Sequence, residues 1–580
     1  MDKLVTFLKP YRKECILGPV FKLLEAIFEL LLPTMMAFVI NQGVAKHDIT
    51  YVFKMGGAML LMAGLGFGSS MICQYYAART SQGFGTTLRN TIFQHIASLS
   101  YSEIDQFGTA SLINRVTNDI NQLQLAVAML IRLVIRAPFI CIGALVMAMF
   151  LDFQLSLVLL AVTPVFAIVL YLIISKTSPL YRKCQQKLDR LALILRENLS
   201  GVRVIRAFAK IGNEKKRFNI ANDDLTATAI RVGKISALLN PLTSLVMNAA
   251  TIAILWVGGL HIHSGRLSQG EIIAFVNYIT QILLALIVVS NLVIIFTKAS
   301  ASAVRIREVL SSAPSISDPI NLMNEDPGEI DPKTPVLQFR HVSFKYSENS
   351  DMALTDISVT IHRGETIGLI GSTGSGKSTF INLIPRFYDV TQGEILVDGL
   401  NVKAYPLAQL RKKIGLVPQK ALLFTGTIAE NIRWGKRSAT DEEVEMAAKT
   451  AQAEEFILKL PDKYNTQVTR GGLNFSGGQK QRLTIARAAV AQPSILILDD
   501  SASALDFATD AALRRAIKQS STTMTVFLVS QRVSTIKNAD KILVFDDGHL
   551  AGSGSHNELM ENCKAYQEIC LSQLSMEEAS

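Results

Sequence analysis

The stretch Thr366-Ile367-Gly368-Leu369-Ile370-Gly371-Ser372-Thr373-Gly374-Ser375-Gly376-Lys377-Ser378 decides how the chain is read. Its first five residues suit a buried strand, and the eight that follow match Gly-x4-Gly-Lys-Ser/Thr in full. Gly371, Gly374 and Gly376 let backbone N–H groups curl around phosphate, because no Cβ blocks the approach. Lys377 brings positive charge to the β and γ phosphates, and Ser378 can ligate Mg2+. The helix opening at Ser378 and Thr379 adds its positive dipole end. A strand before and a helix after the loop make Gly371 to Thr379 an expected ATP site.

Downstream, Ile495-Leu496-Ile497-Leu498 reads as a second buried parallel strand, ending at Asp499-Asp500. Asp499 is expected to emerge beside the phosphates and to hold Mg2+ through water. From Val336 onward, Val336-Leu337-Gln338-Phe339 and Val342-Ser343-Phe344 alternate as strands do. Residues 336–580 therefore read as an α/β phosphate-loop domain, and 311–335, rich in Ser, Pro, Asp, Asn and Glu, as a linker.

The first 310 residues are of another kind. The chain of 580 residues is 49% hydrophobic and only 18% charged, with a mean hydropathy of +0.30. Its apolar residues crowd into long runs in the first half, at about 16–40, 55–78, 126–150, 154–175, 237–260 and 270–297. Each is long enough to cross a bilayer core, which needs roughly 20 residues. Short connections alternate with long, helix-patterned ones. This predicts six membrane helices, two inner pairs running well past the bilayer, and turns near 101–108 and 199–212 that point toward a cytoplasmic domain. Lys and Arg gather between the runs on the long-loop side, which predicts a multi-pass cell-membrane protein with both termini in the cytoplasm. That topology absorbs the net charge of +10 without nucleic acid. Arg132 and Arg136 fall near the inner headgroup boundary, where snorkelling is the expected reading. Asn248, Asn277, Gln281 and Asn291 either line a polar cavity or bond between helices. The six cysteines form no Cys-x2-Cys pair and read as packing in a reducing compartment.

Between the two strand motifs lies Asn474-Phe475-Ser476-Gly477-Gly478-Gln479-Lys480-Gln481-Arg482. The order phosphate loop, Gln419, Ser-Gly-Gly-Gln, acidic strand end and Ser503-Ala504-Leu505-Asp506 resembles the nucleotide-binding domain of ABC transporters. In the membrane half, Phe107-Gly108 with Leu112, Arg115, Thr117 and Asp119, and the run Glu197 to Phe208, resemble the exporter (half-transporter) branch of that family. The resemblance implies that Tyr346 stacks on adenine, that Gln419 senses Mg2+ and the γ-phosphate, and that the two turns are coupling helices. Importers of this class keep the membrane and ATP domains on separate chains, which this chain does not.

Three positions depart from the family pattern. Asp500 stands where the family has Glu to orient the attacking water, so its carboxylate is one methylene short, an offset of about 1 Å that can cost about a hundredfold in rate. Gln531 replaces the switch His, and an amide cannot carry positive charge or shuttle a proton. Arg470, in Thr469-Arg470-Gly471-Gly472, replaces an acid. The signature Ser476-Gly477-Gly478-Gln479 is intact apart from Phe475 before it, and in this family it grips the ATP of the partner chain. A damaged site on one side and a sound signature on the other imply a non-identical partner that carries Glu after its own strand-end Asp. The resemblance is strongest to the degenerate-site subunit of heterodimeric bacterial multidrug exporters, with a small amphipathic substrate taken from within membrane lipid. A homodimeric lipid or peptide exporter, or a regulatory ATP-binding subunit with little hydrolysis of its own, are the alternatives.

Overall fold

The computed structural model describes residues 2–319, 331, 333–521 and 523–577, so part of the expected linker, 320–330 and 332, lies outside the described residues. The chain forms two compact units, 1–97 with 109–312 and 98–108 with 313–580.

Among the described residues of the first unit, six helices are long and apolar enough to cross a membrane: Thr6–Val44, Ile49–Ser98, Thr109–Leu151, Phe153–Ser200, Ile211–His263 and Gln269–Ser311, here spans one to six. Helices suit lipid because every backbone N–H and C=O inside them is satisfied within the segment. Their lengths of 39 to 53 residues correspond to roughly 60–80 Å, at least twice the ~30 Å hydrocarbon core. The long extensions read from the sequence are therefore present as continuous helix. Small residues let the spans approach: Ala26, Ala137 and Ala285 of spans one, three and six are buried together, a substitute for the hydrophobic drive that lipid does not supply. Tyr278 is fully buried and its hydroxyl donates to the Leu30 carbonyl at 2.9 Å. The tight connection at Asp152 is a helix cap: one carboxylate oxygen accepts from the Leu155 N–H at 2.7 Å and the other meets His261 Nδ1 at 3.1 Å. Farther along spans three and six, buried Asp119 accepts from Ser302 at 2.9 Å and from Arg305 Nε at 2.8 Å. Arg115 meets Glu308 at 2.8 Å.

The Arg136 guanidinium lies 2.6 Å from Glu29 and 4.0 Å from Glu25, both on span one, partners that the sequence reading did not name. Gln281 bonds between helices, donating to the Glu29 carbonyl at 3.3 Å, whereas Asn277 turns back onto its own helix at Ile273.

The second unit holds two main sheets. Strands β1 (Leu337–Phe344), β2 (Leu354–Ile361), β4 (Gln392–Val397) and β5 (Leu400–Asn401) form an antiparallel sheet in the order β2-β1-β4-β5. Strands β3 (Thr366–Gly371), β6 (Ile414–Val417), β9 (Ile495–Asp499), β10 (Thr525–Val529), β11 (Lys541–Asp546) and β12 (His549–Gly554) form the other, in the order β12-β11-β3-β10-β9-β6. A short ribbon pairs β7 (Gly426–Thr427) with β8 (Gln467–Val468). All pairings from β11 to β6 are parallel. The aliphatic runs of β9 and β10 are buried along their length because helices and the second sheet cover both faces. Phe339 stacks on Phe380 at 4.2 Å, and Phe527 and Phe545 complete that core.

The turn expected near 101–108 is a helix, Tyr101–Phe107, capped reciprocally by Ser100 and Glu103. It packs within the second unit, with Tyr101 against Phe387 at 4.6 Å and the Tyr388 hydroxyl donating to Asp105 at 3.0 Å. The second turn is the helix Val202–Ala207.

Gly270 tests the packing of the first unit. A Cβ there would lie 2.4 Å from the Ala37 carbonyl oxygen, whereas one at Gly57 meets nothing within 4 Å. Gly270→Ala is expected to destabilise the membrane unit by about 1–3 kcal/mol. Thermal unfolding in detergent should show a lowered Tm for that variant and none for Gly57→Ala.

Candidate functional site

Four adjacent parallel strands end at one edge of the six-stranded sheet, and each end delivers one part of the site. β3 runs into the loop Gly371 to Gly376, β10 leads to Gln531, β9 ends at Asp499 and Asp500, and β6 leads to Gln419. In open parallel sheets this edge is where ligands bind.

The loop needs its glycines. Gly371, Gly374 and Gly376 have φ of +152°, +86° and +101°. A Cβ at Gly371 would sit 2.2 Å from the Phe545 carbonyl oxygen. The ammonium of Lys377 donates to the carbonyls of Gly371 and Ser372 at 2.8 and 2.7 Å and to Ser375 Oγ at 3.2 Å. Ser372, Thr373, Gly374 and Ser378 are exposed at the mouth, while Ser375 and Lys377 are buried. Burial pushes the Lys377 ammonium down from its ordinary pKa, and the nearby Asp499 and Asp500 resist that shift. The Asp499 carboxyl is pushed up to about 6, chiefly by burial and next by Asp500, with Lys377 opposing.

Asp500 is brought to the same place, but in a left-handed backbone conformation with φ +45°. Its carboxylate accepts from Gln419 Nε2 at 3.2 Å. Tyr346 is half-exposed and its hydroxyl bonds to Thr379 Oγ1 at 2.9 Å, so that hydroxyl of the loop helix is already engaged. Tyr388 sits edge-on to Tyr346 at 5.3 Å.

The signature residues stand apart. Ser476 caps the helix Gly477–Ala489 in a reciprocal box, accepting from the Gln479 N–H at 3.3 Å while Gln479 Oε1 accepts from the Ser476 N–H at 2.9 Å. A Cβ at Gly478 would lie 3.0 Å from the Ala504 carbonyl oxygen. Among the described residues, no hydrogen bond or ion pair joins 476–479 to 371–378. Ser503 bonds back to the Asp500 carbonyl at 2.8 Å, and Asp506 caps the helix Phe507–Ser520 through Thr509.

Gln573 is a contributor that the sequence did not reveal. From the helix Lys564–Glu577 it donates to the Gln531 carbonyl at 2.6 Å and accepts from the Val533 N–H at 2.8 Å. A lone Gln in a C-terminal helix carries no spacing signal, so only the fold could place it.

A family profile described as the ABC transporter transmembrane region matches residues 15–286, and one described as ABC transporter matches 354–503. An uncharacterised ABC transporter ATP-binding protein of Mycobacterium tuberculosis is 39% identical over 98% of this chain and 97% of its own length. The chain belongs to the ABC transporter family. A further ABC transporter ATP-binding protein, YfiB of Bacillus subtilis, is 39% identical over all of this chain and 99% of its own. A Staphylococcus aureus protein whose name proposes a multidrug export ATP-binding/permease role is 33% identical over 98% and 99%. In fold, this ABC transporter is similar to a bacterial Atm1-family ABC exporter solved with ATP bound, at a TM-score of 0.77, 24% identity and 97% and 98% coverage. It is thus a multi-pass membrane protein that fuses one transmembrane region to one ATP-binding domain, and it couples ATP hydrolysis to transport. ABC exporters act as dimers.

The carboxyl of Asp499 takes up a proton near pH 6, and its protonated form is a poor ligand for a cation. With Asp499 as a Mg2+ ligand, the affinity of the ATP-bound protein for Mg2+ should fall between pH 7 and 5 more steeply than that of free ATP, with Asp499→Asn removing the excess. Isothermal titration of Mg2+ into the nucleotide complex checks both. Gln573→Ala is expected to loosen the segment 531–533, read as faster amide hydrogen exchange there with the phosphate loop unchanged.

Proposed function

We propose that this chain is one half of a heterodimeric exporter that moves amphipathic or lipophilic compounds out across the plasma membrane, with both termini in the cytoplasm. The observation that carries this reading is Asp500. Its side chain is short, its backbone is left-handed, and its carboxylate is bonded to Gln419 rather than standing free for a water. Gln531, the second departure, offers no charge to a developing phosphate.

In this reading the chain's own site binds ATP firmly and turns it over poorly. Tyr346 stacks on the adenine. Backbone N–H groups of Gly371 to Thr379 and the Lys377 ammonium hold the phosphates. Ser378, Gln419 and Asp499 present hydroxyl, amide and carboxylate oxygens, a donor set that suits Mg2+, which would neutralise phosphate charge. Ser476, Gly477, Gly478 and Gln479, with Ser503 and Asp506 beside the interface, face the ATP of a non-identical partner bearing Glu after its strand-end Asp. Hydrolysis there resets the pair. The helices Tyr101–Phe107 and Val202–Ala207 carry the motion between domains. Support for a lipophilic cargo comes from an open apolar groove of about 940 Å³ along spans three and six, lined by Leu130, Val134, Val289, Val293 and Phe296.

The test is ATP turnover by the chain alone and by the complex it forms with its partner. The chain alone should be slow, and Asp500→Glu with Gln531→His should raise its rate about tenfold to a hundredfold. In the complex, Ser476→Ala should cost far more activity than Asp500→Ala. Brisk hydrolysis by the wild-type chain alone, abolished by Asp500→Ala, would replace the heterodimer with a homodimer.

A further inference from the structure

Spans one to three place a charge cluster inside the apolar region that neither the family pattern nor the ATP site explains. Lys22, Glu25 and Glu29 lie on one face of span one, and Arg132 and Arg136 lie one helical turn apart on span three. Glu25 is held by Lys22 at 2.6 Å, and Glu29 by Arg136 at 2.6 Å. Lys22 also reaches Ser70 of span two at 3.5 Å.

Both carboxylates are taken, and Arg132 is the cation left over. Together with Lys22 and Glu25 it acts electrostatically on Cys73 of span two, so it belongs to the cluster. Yet it makes no hydrogen bond or ion pair among the described residues, and its Nε is buried without a partner. Arg136 Nε and Gln281 Oε1 are likewise buried and unpartnered. Three cations thus face two anions, and the two unpartnered Nε–H donors with a net positive charge call for an acid, while the Gln281 oxygen is a spare acceptor beside them. Arg132 also sits in the middle of a π-helical turn, Leu130–Val134, a distortion that concentrates at functional sites.

Depth narrows the ligand. Counted from the span ends at Val44 and Leu151, Glu29 and Arg136 both lie about 22 Å down, and Glu25 and Arg132 both about 29 Å. The second level coincides with the inner boundary of a ~30 Å hydrocarbon core. There the headgroups of inner-leaflet amphiphiles sit. The same two turns of span three contribute Leu130, Val134 and Pro138 to the 940 Å³ apolar groove.

We infer that Arg132, supported by Arg136, binds the acidic head, phosphate or carboxylate, of an amphiphile drawn from the inner leaflet, with its apolar tail directed to the groove. The inference rests on the exporter reading and its orientation, and it names the charge class of the ligand.

The experiment uses the full-length transporter in phosphatidylcholine nanodiscs. Its probes are a fluorescent oleoyl lysophosphatidic acid and a trimethylammonium amphiphile of equal chain length. Arg132→Gln should weaken binding of the phosphate probe about tenfold or more and leave the cationic probe unchanged. Arg132→Lys should retain most of the affinity. Glu29→Gln, which removes a negative charge and frees Arg136, should tighten binding severalfold. Equal affinity of wild type and Arg132→Gln for the phosphate probe, or no binding of it by the wild type, overturns the site. Inside-out vesicles separate the sources: ATP-driven accumulation of the phosphate probe marks the ligand as cargo. Arg132-dependent binding without accumulation, displaced by phosphatidylglycerol, marks a resident lipid. If ATP moves no amphiphile of either charge or of none, while the Arg132 dependence of binding stands, the export reading fails and the site survives. If ATP moves the cationic probe and Arg132→Gln changes nothing, the site alone fails.

Discussion

Lys377 and Asp499 are both drawn out of water at the edge of one sheet, and each makes the other's charge tolerable. Burial alone pushes the ammonium toward losing its proton and the carboxyl toward keeping one, and the opposite charge across the site resists both shifts. The triphosphate of ATP brings further charge to the same place, so the site is organised around a balance that ligand binding alters. The loop can wrap this pair only because three of its positions carry no Cβ, and the carboxylate arrives there only because β9 lies one strand away from β3, across β10.

The same edge holds the asymmetry of the molecule. Asp500 follows Asp499 directly, but a left-handed turn and the Gln419 amide claim it. Ser476 is a well-made helix cap, and it and Gly477 are exposed. Gln573 adds a brace to the altered side, fixing the backbone around Gln531 from the C-terminal helix.

In the membrane unit the governing constraint is the absence of water. Helices longer than the bilayer satisfy their own backbones, small residues bring them together, and polar side chains find partners across helices, as Tyr278 does at Leu30. The ion pairs of spans one and three obey that rule until Arg132, where the count of charges fails to close. At the level where headgroups begin, a guanidinium without a protein partner is open to an acidic group from outside the chain, and that imbalance is more informative than the pairs.

The phosphate loop, the strand-end acids, the six apolar runs and their long extensions were legible because each is a local pattern: a spacing of glycines, a run of aliphatics, a length set by bilayer thickness. The residue types at positions 500 and 531 were legible for the same reason. The partners of Arg136 were not, although Glu25 and Glu29 stood in plain view within the first apolar run at helical spacing. Pairing residues more than a hundred positions apart depends on which helices neighbour each other. So does the brace from Gln573, and so does the docking of Tyr101–Phe107 against Phe387 and Tyr388 within the second unit. The sequence by itself determined the class of machine, since chemistry at phosphate and solubility in lipid are written in residue types and short spacings. Tertiary structure alone decided which charges are answered and which is left over, because Coulomb interactions depend on distance in space and not on distance along the chain.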